Sequence, residues 1–195
     1  QDLKVNDAEG RSLTASLACD SNDLVVTFDD HHAVYPVTVD PLWTTPDVTD
    51  DPTDQAYAYF GWSLTAAGDV DGDGFNDLLV GAPYFDATLS DEGRAYLFSG
   101  SATGLVTAVA AWTADPTDQI AAAFGQAVAG LGDVNGDGYD DVAVSAPNWD
   151  GTHSDEGQVS IFYGSDVGLA DEADLSLAPT AQNYAHYGEV LAGPG

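Results

Sequence analysis

Past residue 50, short apolar runs alternate with clusters of glycine, proline, aspartate and asparagine. Trp62 to Ala67 and Leu78 to Val80 flank an acidic stretch, Arg94 to Ser99 follows, and Leu105 to Thr113 comes last. Apolar blocks of this length between turn-forming residues predict β-strands. A second set reads the same way: Gln126 to Leu131, Val142 to Ser145, Gln158 to Tyr163, and a weaker stretch from Leu175 to Ala178. Near the start, Leu13 to Leu17, Leu24 to Phe28 and Ala33 to Val39 alternate as short antiparallel strands would, with Ser21-Asn22-Asp23 as a turn. Ala108 to Ala111, with Ala121 to Ala123 nearby, suits a helix on propensity, but Pro116 breaks any continuous one.

The two sets are copies. Asp51-Pro52-Thr53-Asp54-Gln55 returns as Asp115-Pro116-Thr117-Asp118-Gln119, and Phe60-Gly61 as Phe124-Gly125, sixty-four positions later. Gly81-Ala82-Pro83 is echoed by Ser145-Ala146-Pro147, and Ser90-Asp91-Glu92-Gly93 by Ser154-Asp155-Glu156-Gly157 at the same offset. A fixed period of this size marks one supersecondary unit per repeat, stacked on its neighbours. Four strands per repeat is the anatomy of a β-propeller blade. The expected fold is therefore all-β, with two complete four-stranded antiparallel blades, blade A over about 51–113 and blade B over about 115–177. Val37 to Thr44 resembles the last strand of a blade, with Trp43 standing for Trp112. Tyr184-Ala185-His186-Tyr187-Gly188 opens a further copy within 178–195. Residues 1–36 form a small N-terminal β element, and 37–195 a partial propeller. Two blades cannot close a ring that needs roughly four to eight, so the remaining blades belong to a longer chain or come by self-assembly.

Each repeat carries an acidic loop. Asp69-Val70-Asp71-Gly72-Asp73-Gly74-Phe75-Asn76-Asp77 returns as Asp133-Val134-Asn135-Gly136-Asp137-Gly138-Tyr139-Asp140-Asp141. Side-chain oxygens at positions 1, 3 and 5 (Asp69, Asp71, Asp73; Asp133, Asn135, Asp137) converge if the chain curls, and the glycines permit that curl. The carbonyls of Phe75 and Tyr139 at position 7, and Asp77 and Asp141 at position 9, complete a cage. All-oxygen ligation with several carboxylates selects Ca²⁺ over softer metals, and the flexible spacing disfavours Mg²⁺. Two calcium sites are expected. No glutamate stands at position 12, and the loop runs into the apolar strand Leu78-Leu79-Val80, so an EF-hand is excluded. The plain alternative, tight solvated turns without metal, weakens because the pattern occurs twice in one register.

Charge narrows the partners. Thirty-three Asp and Glu face three Lys and Arg, a net charge of −30. Such a chain repels nucleic-acid phosphates and anionic membranes. It also repels itself, and either bound cations or high ambient salt must offset that. Only seven of the acids occupy ligand positions, so both explanations stay open. No apolar run approaches the roughly 20 residues of a membrane span. Gln1-Asp2-Leu3-Lys4 lacks the character of a secretory leader, so the chain is either already processed or cut from something longer. Cys19 stands alone, which rules out an internal disulfide and suits a small buried hydrophobe.

Phe60-Gly61 followed by Gly68-Asp69-Val70-Asp71-Gly72-Asp73-Gly74-Phe75-Asn76-Asp77-Leu78-Leu79-Val80-Gly81-Ala82-Pro83 resembles the FG-GAP repeat of the integrin α-subunit β-propeller and its bacterial relatives. The resemblance covers about residues 42–195. It implies that the acidic loop joins the first two strands of a blade and binds calcium on one face, with ligands on the opposite face. It implies an extracellular or cell-surface, secreted, non-enzymatic module for adhesion or protein–protein interaction. Tyr35 to Leu42 also resembles the entry segment of bacterial FG-GAP proteins. Ser145 departs from the motif's glycine, and Asn135 replaces an aspartate, which should weaken the second site modestly.

The loops expected opposite the calcium run from Tyr84 to Ser90 and from Asn148 to Ser154. Phe85 and Trp149 hold equivalent positions there, suited to stacking on a sugar or gripping a peptide, or to packing between blades. Carbohydrate recognition, or service as a non-catalytic scaffold of a larger secreted enzyme, are the alternative functions. No catalytic residues are expected: no nucleophile elbow, phosphate loop or zinc spacing appears, and His153 near Asp155 is the best of a poor field.

Overall fold

The computed structural model describes residues 4–6, 8–9, 11–20, 23–29, 31–34, 38–40, 55–106, 110–115, 119–178 and 182–193. The chain divides into two compact units, Gln1–Thr49 and Asp50–Gly195. All regular structure among the described residues is β.

In the first unit, β1 (Lys4–Asn6), β2 (Ser12–Leu13) and β5 (Thr38–Asp40) form an antiparallel sheet ordered β2-β1-β5. A separate hairpin pairs β3 (Ala15–Asp20) with β4 (Asp23–Phe28), with Leu17 opposite Val26 and Cys19 opposite Leu24. The expected strand from Leu13 to Leu17 is thus two strands, because β2 and β3 pair with different partners on either side of Thr14. Of the expected strand from Ala33 to Val39, residues 38–39 lie in β5, residues 33–34 are not strand, and the Val34 carbonyl accepts the Ala8 N–H at 2.8 Å. β1 has one apolar residue in three and no periodic signal to reveal it. The readings of Trp43, of the 35–37 and 41–42 parts of the entry segment, and of the Cys19 side chain lie outside the described residues.

The second unit contains two antiparallel sheets of one plan. β6 (Ser63–Gly68), β7 (Asp77–Ala82), β8 (Arg94–Phe98) and β9 (Trp112–Ala114) pair in sequence order, as do β10 (Val128–Gly132), β11 (Asp141–Ala146), β12 (Gln158–Phe162) and β13 (Leu175–Leu177). Registers repeat at the sequence offset: Leu79 faces Leu97, and Ala143 faces Ile161. β9 starts later than the expected 105–113: the Val106 N–H goes to the Ser99 carbonyl beyond the end of β8, and the ladder is joined only where Trp112 meets Leu97. Residues 107–109 and 116–118 lie outside the described set, so the alanine-rich and Asp-Pro-Thr-Asp readings are only partly visible.

β7 and β11 are second in their sheets and lie almost wholly buried, which explains their continuous apolar runs. The sheets pack through Val70, Leu79, Leu97 and Trp112 of the first and Phe124, Val144 and Phe162 of the second. Trp112 meets Phe162 edge-on at 4.9 Å. Each such side chain contributes about 1.5–3 kcal/mol by leaving water.

Docking between repeats depends on backbone. Ala121 and Ala123 both have positive φ, which aims their N–H groups, with that of Phe124, at the carbonyls of Ser90, Asp91 and Glu92. Tyr184, His186 and Tyr187 repeat this on Ser154, Asp155 and Glu156. The copy that opens at Tyr184 therefore seats on the second repeat as the second seats on the first. The Gly125 carbonyl comes within 2.0 Å of where a Cβ on Gly81 would stand. Its counterpart Ser145 is fully buried, takes the Ala127 N–H on its hydroxyl at 3.0 Å, and fits.

Candidate functional site: two acidic loops

Both acidic loops leave the first strand of a sheet through a β-bulge and re-enter at the second. The bulges fall between Ala66 and Gly68 and between Gly130 and Gly132. Gly68 is held at φ 87°, and a Cβ there would collide with the Asp140 carboxylate.

In the first loop, carboxylate oxygens of Asp69, Asp71 and Asp73 lie within 4.8 Å of one another. Local hydrogen bonds wind the turn: Asp69 Oδ2 accepts the Gly74 N–H at 3.0 Å, Asp71 Oδ1 that of Asp73 at 3.2 Å, and Asp73 Oδ1 that of Phe75 at 2.9 Å. Asp69 Oδ1 is buried and accepts nothing from the protein. A buried carboxylate oxygen without a donor is costly unless a cation serves it, so this donor set fits a hard divalent ion. Three oxygens converge here as expected.

Asp77, the position-9 residue, has a different surrounding. It is 2% exposed, and its oxygens take the N–H groups of Val70 at 3.1 Å and Gly100 at 2.9 Å. Burial pushes its carboxyl above the ordinary value of 3.8. The two N–H groups oppose that shift, and the charges of Asp71 and Asp73 reinforce it. A cation would favour its ionised form. Phe75, two positions after Asp73, is 40% exposed as a residue.

The second loop repeats the winding with fewer charges. Asp133 accepts from the N–H groups of Gly136 at 2.7 Å, Asp137 at 3.0 Å and Gly138 at 2.9 Å. Asn135 accepts the Asp137 N–H and donates its amide to Asp137 Oδ2 at 2.8 Å. Tyr139 donates its backbone N–H to Asp137 Oδ1 at 3.0 Å. Asp141 is fully buried and accepts from Val134 and Gly164, each at 2.9 Å.

Sequence reading missed how the next repeat covers the first loop. Asp140 Oδ2 takes the Asp69 N–H at 2.8 Å, while the Asp140 N–H donates to the Asp69 carbonyl at 3.1 Å. The Ser165 N–H reaches the Val70 carbonyl at 3.1 Å, and the Tyr139 ring lies over Gly72. The available signal was a charge present in one copy alone, since Asn76 stands where the second has Asp140.

The connections 83–93 and 147–157 leave the far ends of β7 and β11 and so lie at the end of the sheets away from the acidic loops. Gln55 grips Asp86 through both its backbone groups, at 3.0 and 2.7 Å, and Gln119 does the same to Asp150 at 2.7 and 2.6 Å. The glutamine of each Asp-Pro-Thr-Asp-Gln segment is thus a loop clamp. Buried Glu92 takes the N–H groups of Ala87 and Thr88. Phe85 lies beneath the Arg94 guanidinium, 4.2 Å from ring centroid to carbon, and Arg94 pairs with Asp115. Trp149 packs on the hydrophobic core. His153 Nδ1 lies 3.3 Å from Glu156 Oε2 and 2.8 Å from Thr152 Oγ1, so its acidic neighbour is Glu156 rather than the expected Asp155.

Residues 60–98 and 124–162 each match the family described as FG-GAP repeat. Mouse (Mus musculus) integrin alpha-IIb is 44% identical over 149 residues, covering 72% of this chain and 14% of the relative. Integrin alpha-4 of Xenopus laevis is 38% identical over 127 residues, covering 65% and 12%. Integrin alpha-PS2 of Drosophila melanogaster is 45% identical over 121 residues, covering 56% and 8%. The chain thus spans less than a fifth of each of these relatives. Acidic loop, bulge and the first three strands of each sheet fall inside the matched segments, and this chain carries two FG-GAP repeats of the integrin-like kind.

Proposed function

We propose that this chain is a segment of a calcium-stabilised, extracellular β-propeller that serves adhesion or protein–protein interaction and performs no catalysis. The second unit supplies the partial propeller, with blade A at about 51–113, blade B at about 115–177 and the start of another at 178–195; the expected boundary at 36/37 moves to 49/50, because β5 (Thr38–Asp40) pairs with β1 in the separate N-terminal β element. Two Ca²⁺ ions are held, one by Asp69, Asp71, Asp73, the Phe75 carbonyl and Asp77, the other by Asp133, Asn135, Asp137, the Tyr139 carbonyl and Asp141. The ions neutralise clustered carboxylates and lock the turns. The observation that carries this is the buried, partnerless Asp69 Oδ1 beside Asp71 and Asp73.

Further repeats complete the architecture, from the same chain or from another copy. Tyr59 is 52% exposed and Leu64 66%, whereas their counterparts Ala123 and Val128, covered by the first repeat, are 2% and 8% exposed. Tyr59, Trp62 and Tyr84 form an edge-to-face cluster on that open side. Another blade in that place supports the same packing seen between the two repeats. Integrin-like relatives favour a cell-surface or secreted setting, and among the described residues no helix is long and apolar enough to cross a membrane.

A protein ligand meets loops 83–93 and 147–157, with Phe85 and Trp149 as candidate contacts. We favour protein over glycan because packing takes up ring faces that a sugar would stack on, while both residues stay half-exposed for contact with a protein surface.

A thermal melt of chelated protein, titrated with CaCl₂ and with NaCl at matched ionic strength, tests the calcium reading. A rise at millimolar calcium that NaCl does not reproduce is expected, given the roughly 10⁻⁴–10⁻³ M affinities of extracellular calcium modules. An equal response to both salts sinks it and leaves charge screening alone.

A further inference from the structure

A cavity of about 370 Å³ opens beside the first acidic loop, between the two repeats. Asp71 and Asp73 line one side, the next repeat brings Asp166 to it, and Leu97, Trp112 and Leu169 give it an apolar base. The loop's own donors leave room for a partner. Asp69, Asp71, Asp73, the Phe75 carbonyl and Asp77 make five residues, whereas Ca²⁺ takes about six to eight oxygens. Asp77 has both oxygens already accepting N–H groups, and Asp69 has one so engaged. The remaining coordination falls to water or to an acid from outside the loop.

Asp166 is placed for that role by the fold. It occupies a tight turn closed by the Ser165 hydroxyl on the Gly168 carbonyl at 2.6 Å and the Gly168 N–H on the Ser165 carbonyl at 2.8 Å. That turn is fastened to the loop itself, since the Ser165 N–H donates to the Val70 carbonyl at 3.1 Å. A Cβ on Gly164 would stand 2.7 Å from the same carbonyl, so nothing larger fits between turn and loop. The first repeat builds an identical turn, with the Ser101 hydroxyl on the Gly104 carbonyl, but carries Ala102 where the second carries Asp166. The turn is therefore repeated scaffold, and the acid is a difference between copies.

We propose that the first cation site is composite, built across two repeats, with Asp166 as a positioning carboxylate that faces the ion's open side and holds its water. This rests on the calcium reading. It makes the ion a fastener between repeats.

The test is calorimetric titration of Ca²⁺ into the chelated 195-residue chain near 0.15 M salt, where screening over about 8 Å suppresses remote charges. Asp137→Ala first removes the second site, leaving one to follow. In that background Asp166→Asn should weaken binding about tenfold, as loss of an outer partner commonly does. Asp166→Glu should restore most of it. Asp171→Asn, an exposed acid outside the cavity lining, should change nothing. The melting temperature of the chelated Asp166→Asn protein should match that of its parent, since a structural role would lower it. Unchanged affinity in Asp166→Asn overturns the composite site, as does an equal loss in Asp171→Asn. Absence of calcium binding in the unmutated chain overturns instead the reading on which this rests.

Discussion

Two loops of nearly one sequence, in one fold, end in different states. Val70 of the first is fully buried, and Val134 at the same position of the second is 53% exposed. Asp69 keeps a buried oxygen without a donor, whereas Asp133 accepts from three backbone N–H groups. Three carboxylates converge in the first, and an asparagine amide satisfies one of its neighbours in the second. The first loop has the next repeat stacked on it through Tyr139, Asp140 and Ser165. The surroundings of an acidic loop in a repeat protein are therefore set partly by its neighbour, and which of its oxygens go without a donor depends on what stands beside it.

Several substitutions press on this asymmetry. The largest effect should come from the seam itself: Phe124→Ala should cost about 3–5 kcal/mol in urea unfolding, and Phe60→Ala, at the half-buried counterpart, roughly half as much. Equal costs would mean that the seam contributes nothing beyond the individual sheet. At a hundredfold excess of calcium over its dissociation constant, a site contributes about 2.7 kcal/mol. Asp69→Asn should remove nearly all of that increment at the first loop, and Asp133→Asn a smaller increment at the second. A reversed order in calcium-dependent melts would refute the ranking of the sites.

Gly81→Ser should cost about 1–3 kcal/mol through collision with the Gly125 carbonyl. The mirror change Ser145→Gly should cost less, since it causes no collision and loses only the hydroxyl's two bonds to the Ala127 backbone. Comparable midpoints for the pair would show that the seam relaxes around a side chain. Val70→Ala should then cost about 1–1.5 kcal/mol, for two methyl-sized groups taken from a buried site, and Val134→Ala under about 0.5.

The smallest effect concerns pH. Asp77 has a folded-state value raised above the unfolded 3.8. The folded protein thus keeps a proton over a window just above 3.8 that the unfolded chain has released. Its contribution is full below that value and fades as pH rises through the folded one. Urea midpoints of chelated protein should fall across that window, more steeply than in Asp77→Asn, and added calcium should flatten the fall. Parallel slopes in both proteins would assign the trend to overall charge.

Much of this was legible in the residues. The identical offset of Phe60 and Phe124, and of Asp69 and Asp133, announced a repeated unit, because a unit that cannot bury its own face must stack on a copy. Runs such as Leu78-Leu79-Val80 marked strands covered on both faces. The convergence of Asp69, Asp71 and Asp73 was readable because alternate oxygens and glycines are local geometry. The short β1, the split at Thr14 and the shortened β9 were not legible, since each depends on which distant strand offers its edge. Nor were Asp140 and the Gln55 and Gln119 clamps, whose partners lie 71, 31 and 31 residues away.

Local chemistry, then, is written in the order of residues: which positions turn, which carry oxygen, and where the pattern recurs. Whether Asp69 faces a void or a donor, whether Val70 meets a ring or water, and which acid shares a cavity with Asp71 follow from stacking. Those outcomes belong to the tertiary structure because burial and charge pairing are set by groups brought together in space, and spacing along the chain does not encode that distance.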